Sequence, residues 1–204
     1  MLNRKYFKII FDYTFAFILL LITAPVMLIV ALLIKLEEPK SPIFFKQDRP
    51  GKNARIFTLY KFRTMKVETE KDGETLSDFQ RITKLGHYLR KMSIDELPQL
   101  INILKGEMSF IGPRPLLVQY LQYYTPYQMR RHEVKPGITG WAQVNGRNEI
   151  DWEKKFNLDI YYIEHISFIL DLKIFYMTIK NVLKSKGVYY SENITMPFFT
   201  KIKE

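Results

Sequence analysis

Residues 15–34 read FAFILLLITAPVMLIVALLI, twenty positions with no charged side chain. As a helix they reach roughly 30 Å, the thickness of a bilayer's hydrocarbon core. Basic residues flank both ends: Arg4, Lys5 and Lys8 before, Lys35, Lys40, Lys46 and Arg49 after. A secretory signal shares the basic start, but this run is long and continues into Lys35-Leu36-Glu37-Glu38 instead of a small-residue cleavage site. With both flanks basic, charge bias sets no single orientation and is compatible with two cytoplasmic ends. Pro25 sits at the middle, removes one backbone donor and favours a kink. Thr23 can offer its hydroxyl to backbone groups freed there. Two half-helices that enter and leave by one face satisfy this pattern, and so does a kinked spanning helix.

Outward from that run, the chain reads as a folded protein. Its 204 residues suffice for one domain with a core, or for a domain plus a membrane segment. A net charge of +10 suits nucleic acid, an anionic membrane or a phosphorylated substrate. No nucleic-acid-binding signature is visible, so nucleic acid is not expected as a partner. The absence of cysteine excludes disulfides, thiolate metal sites and a thiol nucleophile. His87, His132 and His165 are scattered, without metal-ligand spacing. Neither a P-loop nor a G-x-G-x-x-G occurs, which disfavours an ATP- or NAD-binding domain.

Local patterning predicts the rest. Pro50-Gly51 reads as a turn joining strands over 43–47 and 56–62. Residues 66–78 read as a polar loop turning at Asp72-Gly73. Helices are expected over 79–92, 96–105 (ended by Gly106), 115–131, 151–164 and 168–185, the last closed by Gly187. The 168–185 segment is apolar around much of its circumference; it reads as a core helix or as one lying in a membrane interface. The tyrosines of 120–127 also suit an interface. The fold class is α+β and predominantly helical.

Chemistry concentrates in residues 86–115, GHYLRKMSIDELPQLINILKGEMSFIGPRP. Asp95 and Glu96 are adjacent carboxylates at a helix start, and Ser93-Ile94-Asp95-Glu96 fits a capping box. Taken alone, a helix cap explains them. Their surroundings add cations: Arg90 upstream, Lys61 and Arg63 on the expected strand, and Arg114 between Pro113 and Pro115 after a Gly112 hinge. Arginine on a stiff backbone suits bidentate phosphate binding. Carboxylates among such groups suit phosphate chemistry, one acid attacking phosphorus and its neighbour holding a proton or a metal ion. Magnesium fits carboxylate and phosphate oxygens.

Several stretches together carry a resemblance: Ile9-Ile10-Phe11-Asp12, Arg49-Pro50-Gly51, Tyr60-Lys61-Phe62-Arg63-Thr64-Met65, residues 89–100, residues 105–115 and residues 135–147. The chain resembles the monotopic bacterial phosphoglycosyl transferases, the bacterial sugar transferase family, over nearly its whole length. It is most similar to the small single-domain type that initiates N-linked protein glycosylation. The resemblance implies transfer of a phospho-sugar from a UDP-sugar, with acetamido sugars as candidates, to undecaprenyl phosphate, releasing UMP. It implies Asp95 as a nucleophile forming a covalent phospho-sugar adduct and Glu96 as acid/base partner. Mg2+ is implied beside Asp95, and phosphate or nucleotide contacts at Arg90, Arg114 and Lys61, with Pro113 and Pro115 framing Arg114. Residues 141–147 are implied to shape the donor pocket. The resemblance further implies that 1–36 is a re-entrant helix-break-helix held at Pro25, with Thr23 beside the break. Residues 37–204 would be one catalytic unit on the cytoplasmic face of the bacterial inner membrane, with both termini cytoplasmic and membrane lipids as partners. A homodimer is left open. Two rivals stand: a UDP-releasing glycosyltransferase, and a membrane-surface scaffold in which Asp95-Glu96 only caps a helix.

Overall fold

The computed structural model describes residues 2–71, 74–146, 149–183 and 198–200. Leu2–Glu37 form α1, a single helix with Pro25 inside it. Helical structure continues through Pro25, so the structure shows one long apolar helix and does not show the expected break. Proline removes the N–H that would serve the Leu21 carbonyl. Thr23 does not replace it, because its hydroxyl donates to the Leu19 carbonyl at 2.7 Å. Packing on both sides holds the helix instead. Ala16, Leu19 and Leu20 pack into one core cluster, and Met27, Val30, Ala31 and Ile34 into a second. These positions recur every three or four residues, so one face of α1 lies on the body along most of its length.

Phe44–Pro50 (β1) and Ile56–Phe62 (β2) form the expected antiparallel hairpin, with Phe44 opposite Phe62 and Pro50 opposite Ile56. The 66–78 stretch, expected as a loop, contains a small hairpin of Glu70–Lys71 (β3) and Glu74–Thr75 (β4); Asp72 and Gly73 lie outside the described residues. The helix expected over 79–92 is two, Asp78–Arg81 (α2) and Lys84–Lys91 (α3). Ile82 is extended and bridges to Met65, while the Thr83 hydroxyl accepts from the Gly86 N–H at 2.9 Å and caps α3. A 3₁₀ turn, Ile94–Glu96, leads into α4, Gln99–Leu104, which ends before Gly106 at φ +77°.

Ser109–Ile111 (β5) pairs in parallel with Gly137–Thr139, which becomes β6. Between them, the single helix expected over 115–131 is a 3₁₀ stretch Val118–Tyr123, a short α5 Pro126–Met129 and a 3₁₀ turn Arg130–His132. Pro126 supplies no donor to a helix arriving from upstream, so a new one starts there, capped by the Thr125 hydroxyl on Gln128 N–H at 3.2 Å. Of the tyrosines in 120–127, Tyr120 and Tyr124 pack their rings on Phe199 within 6 Å, while Tyr123 and Tyr127 are exposed. Trp141–Val144 (α6), Trp152–Glu164 (α7) and Phe168–Leu183 (α8) complete the fold. Gly187 and Arg147 lie outside the described residues.

Three polar links bind the elements. Asp12 of α1 accepts from the Phe110 N–H of β5 at 3.4 Å. Lys8 pairs with Asp171 of α8 at 2.9 Å, and the Tyr162 hydroxyl donates to the same carboxylate at 2.8 Å. Deepest is Arg131 against Asp159, a 2.7 Å pair with both side chains 2% exposed. Removing one partner of such a pair leaves a buried uncompensated charge, whereas replacing both with apolar groups is much cheaper. Arg131→Met should therefore lower unfolding stability by about 3–5 kcal/mol, and Arg131→Met with Asp159→Leu should recover most of it. Denaturant or thermal unfolding in detergent checks both.

Candidate active site

Lys61 lies near the end of β2, on the strand face it shares with the buried Phe57 and Leu59 and opposite Phe62. Its partners come from the turn before α4, and Asn102 fixes the spacing between the two elements. Asn102 is fully buried. Its side-chain oxygen accepts from Tyr60 N–H at 3.1 Å, and its amide donates to the Thr58 carbonyl at 2.8 Å and to Glu107 at 2.7 Å. Glu107 is thus structural, holding the amide that stitches α4 to β2.

With the strand and turn clamped, Lys61 Nζ lies 2.6 Å from Glu96 Oε1 and 3.4 Å from Asp95 Oδ2. Arg114 reaches the same Glu96 oxygen at 2.7 Å. Asp95 and Glu96 are only 7% and 6% exposed. The helix-cap reading of the Ser93–Glu96 motif fails. Ser93 is left-handed at φ 56° and makes no side-chain cap, and the Glu96 carboxylate reaches across to Lys61 and Arg114.

Burial pushes the Asp95 carboxyl above the usual range, and the Glu96 charge adds to that; Lys61, Arg114 and Arg90 pull it back. Glu96 in turn holds the Arg114 guanidinium firmly charged. Arg90, half-buried on α3, donates through Nε to the Thr64 hydroxyl at 2.8 Å, so it enters the site as a nearby positive charge.

Arg114 is held through its backbone. Pro113 and Pro115 are buried, and three consecutive carbonyls are occupied. Gly137 N–H donates to Pro113 at 3.0 Å, Arg131 to Arg114 at 2.8 Å and Arg49 to Pro115 at 3.4 Å. Gly112 is no hinge: a Cβ there would stand 2.4 Å from the Lys135 carbonyl, so glycine permits a close backbone approach. Arg63, also considered from sequence, turns away and donates to the Pro42 carbonyl at 3.0 Å.

A cavity of about 280 Å3 opens beside the carboxylates. Glu96, Arg114, Gln143 and Asn181 are among its polar lining, and Phe15 and Leu19 of α1, Phe110, and Phe175 of α8 among its apolar lining. Adjacent carboxylates can offer a divalent ion one or two ligands, which is how magnesium is commonly held alongside substrate phosphates. Among the described residues, no cluster of three or more Asp, Glu or His side chains forms a protein-only cage.

The structure brings Lys61, Asp95, Glu96 and Arg114 together; the supporting pair Arg131 and Asp159 is not among the residues singled out from sequence. A signal existed for Asp159. Trp152, Lys155, Phe156, Asp159 and Ile160 share one helix face, which puts two charges on a stripe otherwise apolar.

This geometry meets a consistent set of relatives. The family described as bacterial sugar transferase matches residues 3–185. The chain is similar to a Bacillus subtilis (strain 168) protein described as the uncharacterized sugar transferase EpsL, at 54% identity over 193 residues, 95% of each chain. It is 43% identical over 189 residues to the UDP-glucose:undecaprenyl-phosphate glucose-1-phosphate transferase of Escherichia coli (strain K12), covering 87% of this chain and 40% of that enzyme. An Aeromonas hydrophila UDP-N-acetylgalactosamine-undecaprenyl-phosphate N-acetylgalactosaminephosphotransferase is 44% identical over 172 residues, covering 80% and 40% respectively. The chain thus spans almost all of the Bacillus relative and about two fifths of the two enzymes whose names state a reaction. Matched over most of its length, the chain belongs to the bacterial sugar transferase family.

Proposed function

We propose that this protein transfers a sugar phosphate from a UDP-sugar to undecaprenyl phosphate through a covalent intermediate on Asp95. The observation that carries the reading is a buried carboxylate pair shared by Lys61 and Arg114. Relatives named for glucose and N-acetylgalactosamine transfer support the reaction class and leave the hexose open, including the acetamido sugars.

In the first half-reaction a carboxylate oxygen of Asp95 attacks the β-phosphorus. The bond from that phosphorus to the bridging oxygen breaks, and UMP leaves with the electron pair. Lys61 and Arg114 offset the charge on the phosphoryl oxygens, a role that is stronger in a site shielded from water. In the second half, the lipid phosphate attacks the same phosphorus and the Asp95 carboxylate leaves. Glu96, in contact with Lys61 and Arg114, accepts the proton of a monoprotonated lipid phosphate. Magnesium, with Asp95 as its protein ligand, would supply further charge screening on the diphosphate.

Membrane placement follows from α1 and α8. The side of α1 facing away from the body exposes Leu21, Ile22, Leu28, Leu32 and Leu36, and α8 exposes Phe168, Ile169, Leu172 and Leu183. Apolar surface of this extent suits lipid. Because α1 packs on the body before and after Pro25, its two ends need not lie on opposite sides of the bilayer. Our reading is a monotopic placement on the cytoplasmic face in which α1 enters one leaflet; the packing of α1 on both sides of Pro25 supports its single-leaflet part.

Three outcomes test this. With undecaprenyl phosphate, magnesium and a panel of UDP-sugars, purified protein should release UMP, and Asp95→Asn should lower turnover at least about a thousandfold. Release of UDP would instead mean sugar transfer without phosphate. Lys61→Met should slow adduct formation and move the acid limb of its pH profile upward, since Lys61 opposes the burial that already raises the Asp95 pKa; an unmoved limb would remove Lys61 from that role. Finally, Tyr6→Cys and Leu36→Cys, placed singly in this cysteine-free chain, should both react with an impermeant maleimide from the cytoplasmic side only; labelling from opposite sides would establish a spanning helix.

A further inference from the structure

Between Lys8 and Lys35 of α1, Asp12 is the only charged residue. It is also buried, at 5% exposed. A carboxylate withdrawn from water is unfavourable unless something specific meets it. Neither half-reaction above uses this one. What meets it is a single peptide group. β5 pairs with β6 along one edge only, and the buried Phe110 N–H of β5 donates to Asp12 Oδ1 at 3.4 Å. One turn earlier on the same face, Lys8 ties α1 to Asp171 of α8 at 2.9 Å.

Apolar packing alone does not fix the rotation of such a helix. Leu, Ile and Phe occur all round α1, so turning it buries one apolar side chain in place of another. A slip of one residue rotates the face presented to the body by about 100°. A single buried polar group removes that freedom, because one register alone gives it its partner. Asp12 shares its face with Phe15, Ala16 and Leu19, at spacings of three, four and seven residues. Ala16 is fully buried in the core. Phe15 and Leu19 line the cavity that Glu96 and Arg114 also line. Phe15 stands 5.0 Å from the Phe110 ring and 6.2 Å from the Phe175 ring, the cavity's other aromatic walls.

We propose that Asp12 is a positioning residue for the acceptor step: it fixes the rotation of α1 so that Phe15 and Leu19 wall the cavity along which a polyprenyl chain brings its phosphate to the Asp95 adduct. Resting on the transfer reading above, this role belongs to one half-reaction. There an oxygen of the lipid phosphate bonds to phosphorus, the bond from phosphorus to Asp95 breaks, the carboxylate leaves with the electron pair, and Glu96 takes the phosphate proton. Lys61, Asp95 and Arg114 are held separately, by the Asn102 clamp and by the carbonyl contacts of residues 113–115. The donor half-reaction should therefore not register the loss of Asp12.

Asp12→Leu has nearly the same shape without an acceptor, and Asp12→Asn keeps an acceptor oxygen. The full chain in detergent is charged with UDP-sugar to form the adduct, then mixed with undecaprenyl phosphate. Asp12→Leu should form the adduct within about threefold of the parent rate and pass it to the lipid at least about tenfold more slowly, while Asp12→Asn should keep both steps within about threefold. Rotation is also read without activity. In this cysteine-free chain, Phe17→Cys on the exposed face should react with N-ethylmaleimide faster than Leu19→Cys at the cavity, and adding Asp12→Leu should bring the two rates together. Lipid transfer at the parent rate in Asp12→Leu, equal slowing of both half-reactions, or an unchanged labelling ratio overturns the assignment, and adduct formation by the parent then leaves the transfer reading standing. A parent that forms no adduct from any UDP-sugar removes that reading and the assignment with it. If Asp12→Leu shows no cooperative melting transition, Lys8→Met takes its place: breaking the partly exposed tie to α8 should slow lipid transfer about threefold or more with adduct formation unchanged, and unslowed transfer there overturns the assignment too.

Discussion

Two neighbouring carboxylates withdrawn from water repel each other and lose hydration, and they persist only where cations meet them. Asp95 and Glu96 are in that position, and much of the surrounding architecture serves to bring Lys61 and Arg114 to them. The β1–β2 hairpin supplies Lys61. Asn102 and Glu107 tie the following helix to that strand, so the spacing between lysine and carboxylates is set by hydrogen bonds outside the charge cluster. Arg114 is aimed by a backbone whose carbonyls are taken by Gly137, Arg131 and Arg49. The buried Arg131–Asp159 pair is therefore part of the support for the charge cluster and more than a stability feature.

The same cluster sits where two environments meet. Phe15, Leu19 and Phe175 bring apolar surface from α1 and α8 to within one cavity of Glu96. Under the proposed function, a long-chain lipid phosphate would approach the carboxylates from this apolar side. The proposed covalent intermediate would suit such a site, because the phospho-sugar would wait on the protein while one partner leaves and the other arrives.

The parts legible in sequence were those with a local physical signature. Twenty uncharged residues announced α1, the Pro50-Gly51 turn announced the hairpin, and the cations around Asp95-Glu96 announced the charge cluster. Other parts depended on long-range contacts. Pro25 is a helix breaker by local rules, but contacts from Ala16 to Ile34 carry helical structure through it. Ser93-x-x-Glu96 satisfies a capping pattern, and the stronger attraction of Lys61 and Arg114 takes the glutamate elsewhere. The parallel β5–β6 pair is three residues long on each strand and separated by a stretch of 3₁₀ turns, so no periodicity could disclose it. Tyr120 and Tyr124 carry a composition that suits a membrane interface, but they close an aromatic cluster around Phe199.

The most direct measurement is mass analysis of protein quenched after mixing with UDP-sugars in the absence of lipid acceptor, followed by peptide mapping. The expected result is one phospho-sugar added to the peptide containing Asp95, lost again when undecaprenyl phosphate is supplied. Turnover to lipid-linked sugar phosphate with no adduct, or an adduct on another residue, would contradict Asp95 as the nucleophile.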